Sequence, residues 1–216
     1  MAIEFPPPSN GSRRDATRHA LLEAALNVFA DKGYHAAAVD EIVERAGRAK
    51  GTAYFHFPSK AAIFRAMLRE LAAMLTAKVE REIASRPSPI HKLDTALLAV
   101  IETFTEHRRL GRIVLIEVSG AGRAFGEDVM FVRQQFIQLI RRHMDFAVEA
   151  GVIAPCDTDL VATAWFGAIN EVVVAWLYQS DRDSLHNRFP ALRHLLLRSI
   201  GIDPRVLAEE AMTAHA

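Results

Sequence analysis

The chain has 216 residues, half of them hydrophobic, which is enough to bury a substantial core in one large domain or two small ones. Its 26 basic and 26 acidic residues balance, so any anion-binding surface has to be local. The one cysteine, Cys156, excludes an intrachain disulfide and a cysteine-based zinc cage, and it fits the reducing cytoplasm, where we expect the protein to be.

No segment predicts a targeting signal or a membrane span. Residues 1–12 carry a proline triplet and a Ser-Asn-Gly sequence without an apolar core, which is typical of a flexible arm. The most apolar stretch, Leu160 to Leu177, has Asn170 and Glu171 in its middle. An acid at a bilayer centre costs about 2.5 to 3.5 kcal/mol on insertion scales, so we expect a buried helix and no membrane association.

Apolar residues recur at helical spacing in almost every segment after the arm, which predicts an all-α fold of about nine to ten helices. Gly33 is placed to end the first helix with a positive φ, and Gly47 follows a short second one. A third short helix is predicted from about Lys50 to His56, bounded by Pro58. These three helices form a predicted small domain over residues 13–60.

A larger helical domain is predicted over residues 61–216. Ser59 can cap its first helix, of roughly 25 residues, and prolines at 87 and 89 break that helix. Two late helices are predicted at about 157–178, with Asp157 as a cap, and 190–201. The first of them is apolar on nearly every face, so we expect these two helices to form a self-association face.

One stretch is similar to a nucleotide-binding loop. Ile113 to Val118 resembles a strand, and Gly120-Ala121-Gly122 follows it. The fingerprint needs its third glycine at 125, which is Phe125, and no acidic residue ends a second strand at the required distance. We therefore expect no dinucleotide cofactor.

The window from Arg45 to Lys60 contains four basic residues, at positions 45, 48, 50 and 60, and no acid. Such a window is suitable for a surface that faces phosphates. Thr52, Tyr54 and His56 add hydrogen-bonding groups, and Gly51 lets the backbone approach DNA closely. The pattern fits a recognition helix in a major groove. Periodicity alone fits a solvated helical hairpin with buried aromatics equally well.

A spaced motif favours the first interpretation. It reads Leu21-x3-Ala25-x3-Phe29-x3-Gly33-Tyr34, then Ile42-x3-Ala46-Gly47, then Lys50-Gly51-Thr52-x-Tyr54-x-His56-Phe57-x-Ser59-Lys60. With these residues, the segment from Thr17 to Met67 resembles the N-terminal domain of TetR-family transcriptional repressors. The resemblance covers about a quarter of the chain closely, and beyond it only the helical layout matches.

The resemblance implies that Gly47 makes the turn between helices two and three and that helix three reads DNA. It implies that bases and backbone are approached by Lys50, Gly51, Thr52 and Tyr54, and that phosphates are contacted by Tyr54, His56 and Lys60. We further expect Arg13 and Arg14, just before helix one, to contact phosphate or the minor groove.

The chain departs from the family pattern at two places. Ala36-Ala37-Ala38 stands where members often have a hydroxyl residue at the start of helix two, and Arg48-Ala49 stands where a valine and serine are frequent. One common phosphate contact is therefore in doubt. Our hypothesis is that Arg48 replaces the second missing contact by its charge.

For the second domain, the family layout implies a ligand pocket and a dimer built on the last two long helices. Pocket candidates, chosen as large or polar groups in apolar helices, are Phe104, Trp165, Phe166 and Asn170, although aromatics there are more often ordinary core. His107 and His143 are possible polar contacts. We expect a small, mostly apolar inducer that releases a dimeric repressor from a palindromic operator.

Two other classes of protein compete with this interpretation. An enzyme has little support, because the sequence has no Gly-x-Ser-x-Gly elbow, no Walker-type loop and no His-Glu-x-x-His metal motif, so we expect no catalysis, cofactor or metal. A helical ligand-binding or scaffolding protein without sequence-specific DNA binding is the alternative that the neutral charge and the Ala36-Ala37-Ala38 segment leave open.

Overall fold

The computed structural model describes residues 12–86, 88–117, 125–179 and 184–205, and these are helical without any strand, which confirms the all-α class. A π-helical segment, Arg112–Glu117, follows α6, and a short 3₁₀ turn, Leu185–Asn187, precedes α9. The nine α-helices in these ranges are α1 (Arg13–Ala36), α2 (Val39–Arg45), α3 (Lys50–His56), α4 (Lys60–Ala84), α5 (Pro89–Glu106), α6 (Arg108–Gly111), α7 (Gly126–Glu149), α8 (Thr158–Tyr178) and α9 (Phe189–Ser199).

The chain forms two compact units that are not contiguous in sequence. The first comprises Met1–Met74 and His107–Val132, and the second comprises Leu75–Glu106 and Arg133–Ala216. The first unit thus extends past the predicted boundary at residue 60 into α4, and it also contains α6 and the start of α7. The division into domains at 13–60 and 61–216 stays a prediction.

Local signals set both ends of α1. The hydroxyl of Ser12 accepts a hydrogen bond from the backbone N–H of Asp15 at 3.1 Å, which caps the first turn. The backbone leaves helical geometry at Gly33, with φ 78° and ψ 165°, as its lack of a β-carbon permits, before one more turn to Ala36. The prediction of a positive φ at Gly33 is confirmed. Arg13 and Arg14 lie inside the first turn of α1 and not in an arm before it.

An aromatic cluster forms the centre of the first unit. The ring of Phe64 lies 5.1 Å from that of Phe29, 4.8 Å from that of Tyr34 and 5.0 Å from that of Phe125. The three phenylalanines are fully buried, and burial also raises the pKa of the Tyr34 phenol. Phe125 precedes α7 and is distant in sequence from the others, so this part of the chain also contributes to the core of the first unit.

A buried carboxylate joins the start of α7 to α4. Asp128 is only 5% exposed, and its two oxygens lie 2.9 Å from Nε of Arg65 and 3.2 Å from Nη2 of Arg69. The Arg69 guanidinium also stacks over Phe131, 5.1 Å from the ring centre. A buried charge is tolerated when opposite charges pair with it, and here two arginines one helical turn apart do so.

The segment that resembles a strand before a glycine loop is helical. Residues 112–117 form a π-helical continuation of α6, and Ile113 packs into the core of the first unit. A short run of β-branched and aliphatic residues fits a strand or a buried helix equally well, and tertiary packing decides between them. Val118 and the glycines at 120 and 122 lie outside the described residues.

The second unit contains the most apolar helix of the chain. Asp157 caps α8 by accepting from the N–H of Leu160 at 3.0 Å, as its sequence predicts. The helix is long and apolar enough to cross a membrane by length and composition, with a mean hydropathy of 1.6, but Asn170 and Glu171 interrupt its middle. Only 28% of its most apolar window is buried within one chain and most of its other residues are partly exposed, so the helix is less buried than expected.

Candidate nucleic-acid interface

The turn between α2 and α3 depends on Gly47. This residue has φ 62°, a conformation that other residues adopt only with strain. The backbone N–H of Arg48 donates to Val43 O at 2.9 Å, and that of Gly47 donates to Glu44 O at 3.0 Å. These bonds end α2 and turn the backbone toward α3, as the sequence predicts.

The two sides of α3 differ sharply. Ala53 is fully buried, and Phe57, which ends the helix, is also in the core. On the other side Tyr54 is 46% and Phe55 71% exposed. A β-carbon placed on Gly51 would meet nothing within 4 Å, so the backbone there is open to close approach. The helix is anchored on one side and presents a mixed polar and aromatic surface on the other.

The acid-free window of the sequence is not acid-free in space. Lys50, the first residue of α3, places its ammonium 2.7 and 2.9 Å from the two carboxylate oxygens of Asp40 in α2. Arg45 lies 3.0 Å from Asp31 of α1, an acid that Arg109 of α6 also approaches at 3.2 Å. The pairing reduces the net positive charge that these lysine and arginine side chains contribute.

Lys60 occupies the junction of α1 and α4. Its ammonium donates to the carbonyl oxygens of Tyr34 at 2.8 Å, His35 at 3.1 Å and Ala37 at 2.9 Å, and it lies 4.7 Å from the centre of the Tyr34 ring. A lysine ammonium has three hydrogens, so these bonds use its full donor capacity. The side chain binds carbonyls that the end of α1 leaves without helical partners.

Two arginines near the start of α1 stack on aromatic rings at the end of α3. The Arg14 guanidinium lies 5.5 Å from the centre of the exposed Phe55 ring, and that of Arg18 lies 5.7 Å from Phe57. Burial lowers the pKa of His56, and the positive charges of Arg14 and Arg18 lower it further. His56 is therefore neutral near pH 7 in the free protein.

The start of α2 confirms the first departure from the family pattern. Ala38 caps the helix without a side-chain hydrogen bond, and its own N–H reaches Oε2 of Glu41 at 3.5 Å. A side-chain hydrogen bond from Lys32 lowers the pKa of Glu41. The N-terminus of α2 therefore carries carboxylates where a hydroxyl is frequent, whereas Arg48, beyond the turn, is exposed.

The four pocket candidates of the second unit divide into two kinds. Phe104 and Trp165 are buried, and the Trp165 indole donates to Ser199 Oγ at 3.0 Å. Phe166 and Asn170 are half-buried, and the Phe166 ring stacks on Phe136 at 6.4 Å. The Arg133 guanidinium covers Phe166, 5.1 Å from its centre.

The two histidines named as polar contacts lie in different units. His107 belongs to the first unit and precedes α6. His143, on α7 in the second unit, is largely buried, and burial lowers its pKa. Among the residues that the structure describes, its Nε2 has no hydrogen-bond partner, and Glu80 Oε2 is 3.7 Å away.

Sequence reasoning missed two features of the α3 surface. Phe55 is not among the predicted contacts, yet it is the most exposed aromatic residue of α3. Asp40 was not considered at all, although it holds Lys50. Phe55 follows Tyr54 on a helix whose buried side is set by Ala53, so helical periodicity was a usable signal for it. The pairing of Asp40 needed the structure.

A turn glycine, an anchored short helix and an exposed polar surface on that helix define a helix-turn-helix DNA-binding protein. Two family models match the chain: the bacterial regulatory proteins of the tetR family over residues 21–67, and the tetracyclin repressor-like C-terminal domain over residues 86–180. The chain belongs to the TetR family of transcriptional regulators.

Several relatives have names that refer to fatty acids or to transcription. The transcriptional activator FasR of Mycolicibacterium smegmatis is 36% identical over 116 residues, 51% of this chain and 52% of that protein. The fatty acid metabolism regulator protein of Bacillus subtilis is 22% identical over 83% of this chain and 93% of its own.

Solved structures have the same fold. FadR of Bacillus halodurans, a fatty acid degradation regulator, superposes with a TM-score of 0.76 at 23% identity, over 82% of this chain and 96% of its own. FadR of Bacillus subtilis in complex with stearoyl-CoA gives 0.75 at 21% identity over the same shares. At these identities the likeness concerns the fold.

Proposed function

We propose that this chain represses transcription as a homodimer on a roughly palindromic operator and that a ligand with a long apolar chain releases it. The exposed side of α3 carries the proposal. A helix fixed by Ala53 and Phe57 and open at Gly51, Tyr54 and Phe55 has the form of a recognition helix in a major groove. The protein would act in the cytoplasm, where DNA is accessible.

The proposed contacts follow from exposure and charge. Lys50, Gly51, Thr52 and Tyr54 approach the DNA, because they belong to the open side of α3. The phosphate contacts come from Arg13, Arg14, Arg48, Tyr54 and His56. A neutral His56 takes part as a hydrogen-bonding group and not as a fixed charge, since burial lowers its pKa.

Lys60 has a different role in this proposal. Because its three hydrogens are bonded to carbonyls, it fixes the junction of α1 and α4 and so orients α3. A phosphate contact there would fall to the remaining backbone N–H groups at the start of α4, because Ser59 Oγ already accepts from that of Ala62. The ammonium itself then adds little to the salt dependence of binding.

The dimer interface is proposed on α8 and α9. On α8, Leu160 and Tyr178 are 64% and 72% exposed, and Ala164 and Glu171 between them share the exposed stripe. Leu195 of α9 is exposed as well. Exposed apolar surface of this extent is typical of a protein interface, and two DNA readers on one operator need such an interface.

We propose a long-chain fatty acyl-CoA as the ligand. The support is the structural likeness to a FadR bound to stearoyl-CoA, the names of the relatives and the apolar character of the second unit. Phe104, Trp165, Phe166 and Asn170 are the proposed pocket residues. The ligand test is a thermal-shift titration: stearoyl-CoA should raise Tm, since a ligand that binds only the folded state stabilises it, and free CoA should not.

DNA binding is tested with the full-length protein and random fragments of the source genome. Fragments retained at low salt are sequenced. One enriched palindrome supports the repressor, and the absence of any enriched sequence rejects it in favour of a helical ligand-binding or scaffolding protein. Activation instead of repression would be recognised by transcription from the enriched site, which a repressor lowers.

A further inference from the structure

The first residue of the recognition helix is held by a neighbouring helix. Lys50 places its ammonium between the two carboxylate oxygens of Asp40, at 2.7 and 2.9 Å. Asp40 lies in the first turn of α2, where an acid is favoured by the N–H groups of the helix start. Both side chains are more than half exposed, so DNA that docks on α3 can reach the pair.

A paired lysine and an unpaired lysine affect DNA binding differently. Affinity for DNA of any sequence grows with the number of phosphates that positive side chains neutralise. Affinity for one sequence comes from groups that meet base edges, and lysine is suited to the O6 and N7 acceptors of guanine. A lysine held by a carboxylate contributes little to the first effect, but it can change partner where a base offers acceptors.

We propose that Asp40 is a specificity-determining residue, which holds Lys50 away from phosphates and releases it only to a base edge at a matching site. The proposal rests on the proposed function, in which α3 reads DNA. It assigns Asp40 a positioning role, because Asp40 acts through Lys50 and touches no base. Exposed ion pairs are weak, so a good base contact is sufficient to draw the ammonium away.

The test compares Asp40→Asn with a matched control, Glu44→Gln. Glu44 is an exposed acid of the same helix that makes no ion pair in the described part of the chain, so both variants remove one negative charge from α2. Binding to a random duplex is measured between 50 and 200 mM salt, after circular dichroism has confirmed folding. Asp40→Asn should steepen the salt dependence by about two phosphates per dimer, so that its gain in affinity is about tenfold larger at 50 than at 200 mM.

The same variants are then tested in a Lys50→Gln background. If Asp40 acts by holding Lys50, Asp40→Asn there should behave like Glu44→Gln. An effect that persists without Lys50 would show direct repulsion between Asp40 and DNA and would overturn the proposal, as would equal salt dependences for the two single variants.

The enriched palindrome provides the specificity readout. Asp40→Asn should lower the ratio of operator to random affinity by at least about threefold, because the freed lysine strengthens random binding more. An unchanged ratio would overturn the inference while leaving the repressor proposal intact. If no palindrome is enriched, the proposed function fails by itself, and the random-duplex comparison still tests whether Asp40 restrains Lys50.

Discussion

The two compact units differ in how fully a single chain buries their apolar residues. In the first unit, Phe29, Phe64 and Phe125 close a buried aromatic cluster, and Asp128 is satisfied by two arginines. In the second unit, α8 is the most apolar helix, yet only 28% of its most apolar window is buried within one chain. The described part of the first unit thus has a closed core of its own, whereas the second leaves a stripe of α8 exposed, which the proposed dimer would cover.

The largest expected effect comes from placing a charge on the proposed interface side of α8. A β-carbon on Gly167 would meet nothing within 4 Å in one chain, so Gly167→Arg should leave the monomer folded. A charged side chain in an apolar interface should dissociate the dimer and lower operator affinity by about a hundredfold or more. Sedimentation and an operator titration measure both effects, with Gln138→Arg on the exposed side of α7 as control. A Gly167→Arg protein that is still dimeric would place the interface elsewhere.

The next effect tests how the first unit is completed. Lys60→Met removes three hydrogen bonds from a charged donor at the end of α1, and we expect it to lower the free energy of unfolding by about 1.5 to 3 kcal/mol in urea titrations. The salt dependence of DNA binding should stay almost unchanged. If it instead flattens by about one unit per subunit at constant stability, the Lys60 ammonium contacts a phosphate.

A smaller effect is expected at the exposed arginine after the turn. Arg48→Ala should weaken binding to all sequences by severalfold and flatten the salt dependence by about one unit per subunit, because one phosphate contact is lost. Arg81 is an exposed arginine of α4, and Arg81→Ala is the control for the loss of one positive charge outside the proposed DNA contacts. Equal effects of the two substitutions at fixed salt would reject a specific role for Arg48.

The smallest expected effect concerns pH and the second unit. Burial lowers the pKa of His143 below its ordinary value, so the unfolded chain binds this proton more readily than the folded one. The free energy of unfolding should therefore fall as the pH drops below about 6.5, the ordinary histidine value, toward the lower folded pKa. His143→Phe should make the fall between pH 7.5 and 5.5 shallower in urea titrations. A slope equal to that of the unsubstituted protein would show that His143 does not contribute. His56, whose pKa is also lowered, would supply the remaining slope with the same sign.

Local sequence signals predicted the elements well. The expected bounds of α3 agree with the structure, because Gly47, Pro58 and the Ser59 cap mark them within the segment itself. The α4 helix likewise has 25 residues, as expected. Where the signal was ambiguous, as in the aliphatic run after Arg112, the strand was the wrong alternative.

The partners of the ion pairs could not be predicted from the sequence. Lys50 pairs with an acid that is ten positions away in the sequence, and the acid paired with Arg45 is fourteen positions away. The acid paired with Arg65 is more than sixty positions away. Such pairs depend on how helices pack, which no local pattern encodes. The count of charges in a window therefore overstated the positive surface, and only the packed helices show that Lys50 and Arg45 are paired with acids.

The most direct test of the whole account is release of operator DNA by the proposed ligand. The full-length protein is bound to the enriched palindrome, and fluorescence anisotropy is followed during titration with stearoyl-CoA, with free CoA as control. We predict that stearoyl-CoA releases the DNA by at least about a fivefold loss of affinity, the lower range of ordinary allosteric coupling, and that free CoA does not. Unchanged operator affinity at saturating stearoyl-CoA would contradict the account.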